Sequence, residues 1–422
     1  MKGYDNKFDD VQIDVRVMAN KTKFNFHKLN IPFLKNNEPV LIGLDVGYSS
    51  TKVVSNLGYH IFPSLVTPIE KQDEDKYTSF PKKTTLLYRD NNVTRKTWLV
   101  GDIIIEGIQE KLDNQDFLYG SNRIGTDENL VLNRVGLALA LLKEDKSFIK
   151  NPEVRITVGL PAQYFSHENE YKSQLIGYHN FELFINGEWV EIKVDIPADD
   201  LNVMSQPMGT LFSLALNRQG QIIDEKLISS ARLVIFDGGF GTVDTYVLTN
   251  GTTGKCKTWE KQGMRTVYER TLYQCEEETG RNLGFNQLNF ILAKPEAERV
   301  VRYNGKNKWF VDPTVKTNID IIAEDNIKSI NKTYNYLNDV DLFIMTGGTG
   351  KVLYPYFKLA LNIPMRLAEK TDSKYPEENF DSVFSICVGF FNHSALKYRT
   401  EINYDNYEEV IEADNEAAVT NI

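Results

Sequence analysis

The sequence predicts an α/β protein in which one domain plan is used twice, the two copies facing each other across a cleft. Two stretches carry that prediction. Residues 41–52 read Leu-Ile-Gly-Leu-Asp-Val-Gly-Tyr-Ser-Ser-Thr-Lys, and residues 233–245 read Leu-Val-Ile-Phe-Asp-Gly-Gly-Phe-Gly-Thr-Val-Asp-Thr. Each is an apolar run ending in an aspartate, then a Gly and hydroxyl turn, then a second β-prone run. That is how a buried strand, a tight turn and a returning strand appear in sequence. Asp45 and Asp237 occupy the same place in the two copies, with Gly47 and Gly239 two residues on. One such hairpin is an ordinary turn. Two at matching positions imply duplication.

The chemistry that needs such a pair is binding of a nucleoside triphosphate. A Gly turn lets successive backbone N–H groups converge on an anion without a Cβ in the way. Ser49, Ser50 and Thr242 can add hydroxyl donors, and Lys52 a point charge. The carboxylates of Asp45 and Asp237 repel phosphate directly. They can instead hold a hydrated Mg²⁺, which takes one or two carboxylates and keeps several waters.

Composition narrows the class. The chain has 422 residues, enough for two sizeable cores, with 41% hydrophobic and 25% charged residues. A net charge of −10 argues against a direct, non-specific grip on DNA, so any DNA partner is expected through another protein. Cys256, Cys275 and Cys387 are widely spaced with no Cys-x-x-Cys, which reads as buried, reduced thiols in a cytoplasmic protein. His27, His60, His167, His179 and His393 show no metal-ligand spacing. No run of 18 apolar residues and no signal-peptide core is present, so the expected location is the cytoplasm, with no membrane partner.

A third stretch, Asp341-Leu-Phe-Ile-Met-Thr-Gly-Gly-Thr-Gly350, is a strand running into Gly347 and Gly348. In this order the three loops resemble the phosphate-1, phosphate-2 and adenosine loops of the actin, sugar kinase and seventy-kilodalton heat-shock chaperone superfamily. From about residue 38 to 400 the chain most resembles bacterial plasmid-segregation actins of the ParM type. The resemblance implies a duplicated actin-like (ribonuclease H-like) fold, α/β in class, with two domains around a nucleotide cleft. Residues 1–37 would be an N-terminal extension and 38–220 domain I, with a small subdomain at about 57–120, completed by 385–422. Residues 221–384 would be domain II, with a small subdomain at about 267–330. Nucleotide contacts are implied for Asp45, Gly47, Tyr48, Ser49, Ser50 and Lys52, and for Gly238, Gly239, Phe240, Gly241 and Thr242. Gly347, Gly348 and Thr349 would approach the base, and Asp45 and Asp237 would hold Mg²⁺ through water. One position departs from the family pattern: Phe240 stands where a second glycine is usual.

Along the chain, residues 1–37 are mixed, with alternation at Val11–Val17 and aromatics at Phe24 and Phe26. They read either as a segment packed on the protein's own surface or as an assembly arm. Tyr59–Val66 is strand-like, Lys71–Lys83 a charged surface loop, and Thr97–Asp102 a strand ending in a Gly turn, similar to a ParM-type element. Residues 127–143 form the clearest helix, with Thr126 as N-cap and Lys143 in the last turn. Val154–Pro161 is a strand into Gly-Leu-Pro, and residues 181–196 a hairpin around Asn186-Gly187. Val203–Gly209 opens a helix with Pro207 suited to its first position. By resemblance, Gln206 there orients the attacking water, a catalytic role it would share with Asp237.

Lys261–Arg270 is a Gly turn opening a helix, whose Glu269 reads as a solvated face. Residues 285–338 are helix-rich, with turn signals at Asn304-Gly305 and Asp312-Pro313. Phe380–Phe391 resembles a second connecting helix. The acidic tail lacks pattern after Val410 and is expected to fray.

The resemblance implies an ATPase, with GTP as the alternative nucleotide, that polymerises on itself with Mg-nucleotide and disassembles after hydrolysis. It further implies segregation of plasmid DNA through a DNA-bound adaptor of the ParR type. A non-plasmid bacterial or phage actin is the variant reading. A small-molecule kinase would need a carboxylate base beside a substrate hydroxyl, and no sugar-kinase signature is present. A chaperone would need a peptide-binding domain, for which the chain ends too soon after the ATPase core.

Overall fold

A computed structural model describes residues 8, 10–18, 21–35, 38–91, 96–107, 121–371, 373 and 378–404. The first half contains β1 (Lys23–Asn25), β2 (Val40–Val46), β3 (Ser50–Ser55), β4 (Gly58–Pro63), β5 (Val66–Ile69), β6 (Leu86–Asp90) and β7 (Thr97–Val100). After these come β8 (Val154–Leu160), β9 (Gly177–Ile185), β10 (Glu188–Ile196) and β11 (Leu201–Ser205). The second half contains β12 (Arg232–Gly238), β13 (Thr242–Thr249), β14 (Thr252–Glu260), β15 (Val300–Tyr303), β16 (Asn307–Phe310), β17 (Leu342–Thr346) and β18 (Met365–Leu367).

The duplication is plain in the strand order. One sheet contains the run β4-β3-β2-β8-β11, with β1 added outside β4, and the other is β14-β13-β12-β17-β18; the two five-strand runs match. In each, the first three strands are antiparallel and the last two are added in parallel. The central strands β2 and β12 are covered on both faces, which is why they read as continuous apolar runs rather than alternating ones.

Helices fill the layers around these sheets. They are α1 (Asp75–Thr78), α2 (Asp102–Gly107), α3 (Asp127–Ala140), α4 (Glu168–Leu175), α5 (Gln206–Ala215), α6 (Glu225–Ser229), α7 (Met264–Thr279), α8 (Phe285–Leu292), α9 (Val311–Thr333), α10 (Gly347–Ala360) and α11 (Ser385–Glu401). Thr126 caps α3 as its sequence predicts, its hydroxyl accepting from the Asn129 N–H at 3.2 Å. The helix packs on β2 and β3, and Lys143 lies beyond its end.

Where α5 crosses α11, both helices carry glycine. A Cβ on Gly389 would sit 1.7 Å from the Gly209 carbonyl oxygen, and one on Gly43 of β2 would sit 2.1 Å from the Cys387 carbonyl oxygen. Strand and two helices therefore meet backbone to backbone beneath the first hairpin.

Several expectations are revised. The run Tyr59–Val66 divides: β4 belongs to the main sheet and β5 to a smaller one, ordered β10-β9-β6-β7-β5. That smaller sheet recruits the 177–196 hairpin, whose Asn186 and Gly187 have φ of 55° and 91°, so it extends beyond residues 57–120. Residues 201–205 form β11, parallel to β8, and α5 starts only at Gln206, which puts Pro207 second in the helix. Asp312-Pro313 lies in the first turn of α9, where proline is tolerated. Asn304-Gly305 does turn β15 into β16. Cys256 is exposed on β14, unlike buried Cys275 and Cys387.

The described part of the N-terminal extension packs on the protein's own surface. Phe8, Val11, Val15 and Met18 enter the core of the second half, and the Phe8 ring stands edge-on to Tyr356 with centroids 4.9 Å apart. The Lys316 ammonium donates to the Phe8 carbonyl at 3.1 Å, and the Tyr268 hydroxyl to the Met18 carbonyl at 3.2 Å. β1 then pairs with β4, and Leu29, Ile31 and Phe33 cover α11 of the first half. Residues 405–422, including the expected frayed tail, lie outside the described residues.

Candidate functional site

Both Gly turns fold in the same way, because the same hydrogen bond closes each. The Gly47 N–H donates to the Ser50 carbonyl at 3.1 Å, and the Gly239 N–H to the Thr242 carbonyl at 3.0 Å. Phe240 does not disturb the second turn. Its ring is taken up edge-on by Tyr268 and Phe285, at centroid distances of 5.3 and 6.3 Å.

The turns face one cleft, about 910 Å³ of empty space counted to its open mouth. Asp45, Gly47, Tyr48, Ser49, Ser50, Lys52, Gln206, Asp237, Gly238, Gly239, Phe240, Thr242, Gly347, Gly348 and Thr349 all line it. Of the residues expected at the site, only Gly241 is not in that lining.

Register gives the two aspartates different partners. Asp45 lies opposite Lys52 on β3, whereas Asp237 lies opposite Asp244 on β13. The Lys52 ammonium reaches one Asp45 oxygen at 3.0 Å, and the Gln206 amide donates to the other at 3.1 Å. Burial pulls the Lys52 ammonium down, but the charge and hydrogen bond of Asp45 hold it above its ordinary value. Asp237 feels the same Lys52 charge, which lowers it, but makes no direct bond to that ammonium. Burial, then the neighbouring Asp244 and Asp45, push its carboxyl up to about 7. Burial also raises Asp244, while hydrogen bonds from Thr258 and Thr242 restrain that rise.

This donor set fits Mg²⁺ held through water. Among the described residues no three His, Cys, Asp or Glu side chains are grouped closely enough to chelate an ion directly. Crowded carboxylates that share the charge of a single lysine suit a hydrated divalent ion.

In the third loop, packing against the second turn by itself requires glycine at 347. Gly347 has φ of 78°, and a Cβ there would lie 2.5 Å from the Gly238 carbonyl oxygen. Gly238 in turn abuts the Gly350 N–H, and the Thr349 hydroxyl donates to the Gly239 carbonyl at 2.7 Å. These contacts lock the loop onto the second turn. Glu269 points away, paired with Arg265 at 2.8 Å on the helix surface.

Lining residues that sequence reasoning did not place at the site are Val17, Met18, Arg123, Pro161, Asp244, Met264, Thr346, Val383 and Ile386. Asp244 was detectable as the counterpart of Lys52. Val17, Met18 and Arg123 come from segments with no local motif, brought in by tertiary packing.

Residues 43–209 match the family model described as "Actin like proteins N terminal domain". Some 84–87% of the chain superposes on solved structures of that kind. This chain has the actin-like fold. A 15-stranded ParM filament from Clostridium botulinum aligns at TM-score 0.64 and 16% identity, over 84% of this chain and 98% of that one. Bacillus thuringiensis ParM with ATP aligns at 0.56 and 19%, over 85% and 99%. An archaeal actin homologue, Ta0583, aligns at 0.60 and 17%, over 84% and 99%. No curated protein matches the sequence. No helix among the described residues is long and apolar enough to cross a membrane.

Proposed function

We propose that this protein is an actin-like nucleoside triphosphatase that assembles with itself into filaments on binding Mg-nucleotide and disassembles after hydrolysis. The observation that carries the reading is the convergence of two Gly turns, two strand-end aspartates and Gln206 on one cleft. Converging N–H groups and hydroxyls suit the phosphates of ATP, with GTP as the alternative. Asp45 and Asp237 hold Mg²⁺ through its waters, and the ion supplies charge neutralisation of the phosphates.

Gln206 orients the attacking water. An amide is a poor base, but Asp45 fixes its direction, and positioning is most of what phosphoryl transfer to water requires. Nucleotide bridging the two turns closes the halves, and head-to-tail contact of closed subunits generates a filament because it does not close on itself. Filaments in the structures this chain resembles support that step. We assign it to plasmid segregation through a DNA-bound adaptor of the ParR type, since a chain of net charge −10 does not grip DNA itself. Two bodies built on the two sheets, with boundaries near residues 38, 220 and 385, are the units that close.

The test is light scattering of the purified protein after addition of Mg-ATP, with phosphate release followed in parallel. Scattering should rise and decay as phosphate appears, and Asp237→Ala should show neither. Steady phosphate release with flat scattering would sink the filament reading, and the kinase reading would then be tested with small alcohols.

A further inference from the structure

Arg123 is a buried cation in this cleft with no directly bonded anionic partner among the described residues. It lines the cleft and is 5% exposed. Its guanidinium makes no hydrogen bond or ion pair with any described residue. The cleft's other described cation, Lys52, is already engaged by Asp45. What Arg123 does touch is the face of Tyr48, 4.7 Å from the ring centroid, at the tip of the first Gly turn. The charge is also felt by the hydroxyls of Tyr164 and Tyr171.

Magnitudes decide what this means. A cation over an aromatic face gains about 0.5–2 kcal/mol. Removing an ion from water costs several kcal/mol. The aromatic contact therefore does not offset the burial, and the arrangement is completed only when an anion enters. The backbone is fixed for that task. The Arg123 carbonyl accepts from both the N–H and the hydroxyl of Thr126, at 3.2 and 2.8 Å, and Thr126 caps α3, which packs on the hairpin strands β2 and β3. Arg123 is thus held in register with the turn whose tip it covers.

We propose that Arg123 binds the terminal phosphate of the bound nucleoside triphosphate, with Tyr48 as the platform that aims it. The inference rests on the nucleotide reading of the cleft and deepens it. A planar, always-charged guanidinium matches phosphate oxygens in a two-pronged way that lysine does not. Because Arg123 comes from the chain just before α3 rather than from either Gly turn, it reports the last phosphate separately from the turns.

The experiment is calorimetric titration of the full chain, and of Arg123→Gln and Arg123→Lys, with Mg-ATP and Mg-ADP, beside thermal unfolding of the ligand-free proteins. Arg123→Gln should lose about ten- to a hundred-fold in affinity for Mg-ATP, as for a hydrogen bond to a charged group, with less than about a three-fold change for Mg-ADP. Arg123→Lys should fall between. Ligand-free Arg123→Gln should melt no lower than the parent, since it removes a buried charge with no bonded anionic partner; a residue that merely packs would lower it. Equal losses for the two nucleotides, or none, would overturn the assignment while leaving the nucleotide site intact. A parent that binds neither nucleotide would overturn the site reading itself. Should Arg123→Gln fail to fold, the ratio measured for Arg123→Lys decides alone.

Discussion

Asp45 and Asp237 hold matching register positions in the two hairpins, yet their surroundings predict opposite responses to the same substitution. Asp45 balances the buried Lys52 ammonium and anchors Gln206. Removing its charge leaves a buried cation without its partner, so Asp45→Asn should lower stability by about 3 kcal/mol. Asp237 is crowded by Asp244 and Asp45, and its carboxyl holds a proton up to about pH 7 in the fold. An unfolded chain releases that proton in the usual carboxylate range. The parent therefore loses stability as pH rises from that range through about 7. Asp237→Asn carries no such charge and should equal or exceed the parent in metal-free buffer at pH 8, the difference vanishing towards pH 4. Denaturant unfolding of both variants at the two pH values checks the sign, and a lower stability of Asp237→Asn at pH 8 would refute the account.

At the scale of elements, the crossing of α5 and α11 constrains both helices by what is missing from them. With Gly209 and Gly389 in backbone contact, a methyl at residue 389 would fall 1.7 Å from a carbonyl oxygen that has nowhere to retreat. Gly389→Ala should cost at least about 1–3 kcal/mol, the usual range for overpacking a dense interior. It should shift the urea midpoint at unchanged slope, whereas an alanine at Gly305, where nothing lies within 4 Å, tests the strain of a positive φ alone.

What could be read in advance follows the same division. The hairpins, the capped helix α3 and the Asn186-Gly187 turn are written in neighbouring residues, so they were legible. β11 is five residues long and is made a strand by β8 alongside it, a partner more than forty residues away. Phe240 looked disruptive because only its place in the turn was visible; Tyr268 and Phe285, which accommodate it, lie on other elements.

At the scale of the whole molecule, the N-terminal segment ties parts that the duplicated plan leaves separate. It inserts Phe8 beside Tyr356 in the second half, passes Val17 and Met18 along the cleft, and adds β1 to the sheet of the first half. None of this has a counterpart in the other copy, which is why no repeat or motif announced it. Phe8→Ala should free the segment without unfolding either half. Limited proteolysis read by mass spectrometry should show new cuts confined to the first 18 residues. Cleavage spread through both halves would mean that Phe8 supports the core as a whole.

The glycine crossing has a mechanical consequence. Two helices that touch through their backbones have no intervening side chains to compress or slide over, so α5, α11 and the strand β2 beneath them hold together as one rigid piece. Gln206 begins the same helix three residues before the crossing, and β2 carries Asp45 from the strand that meets it. Asp45 and Gln206 are therefore carried on a single unit, and the hydrogen bond between them keeps its length whatever the second half does.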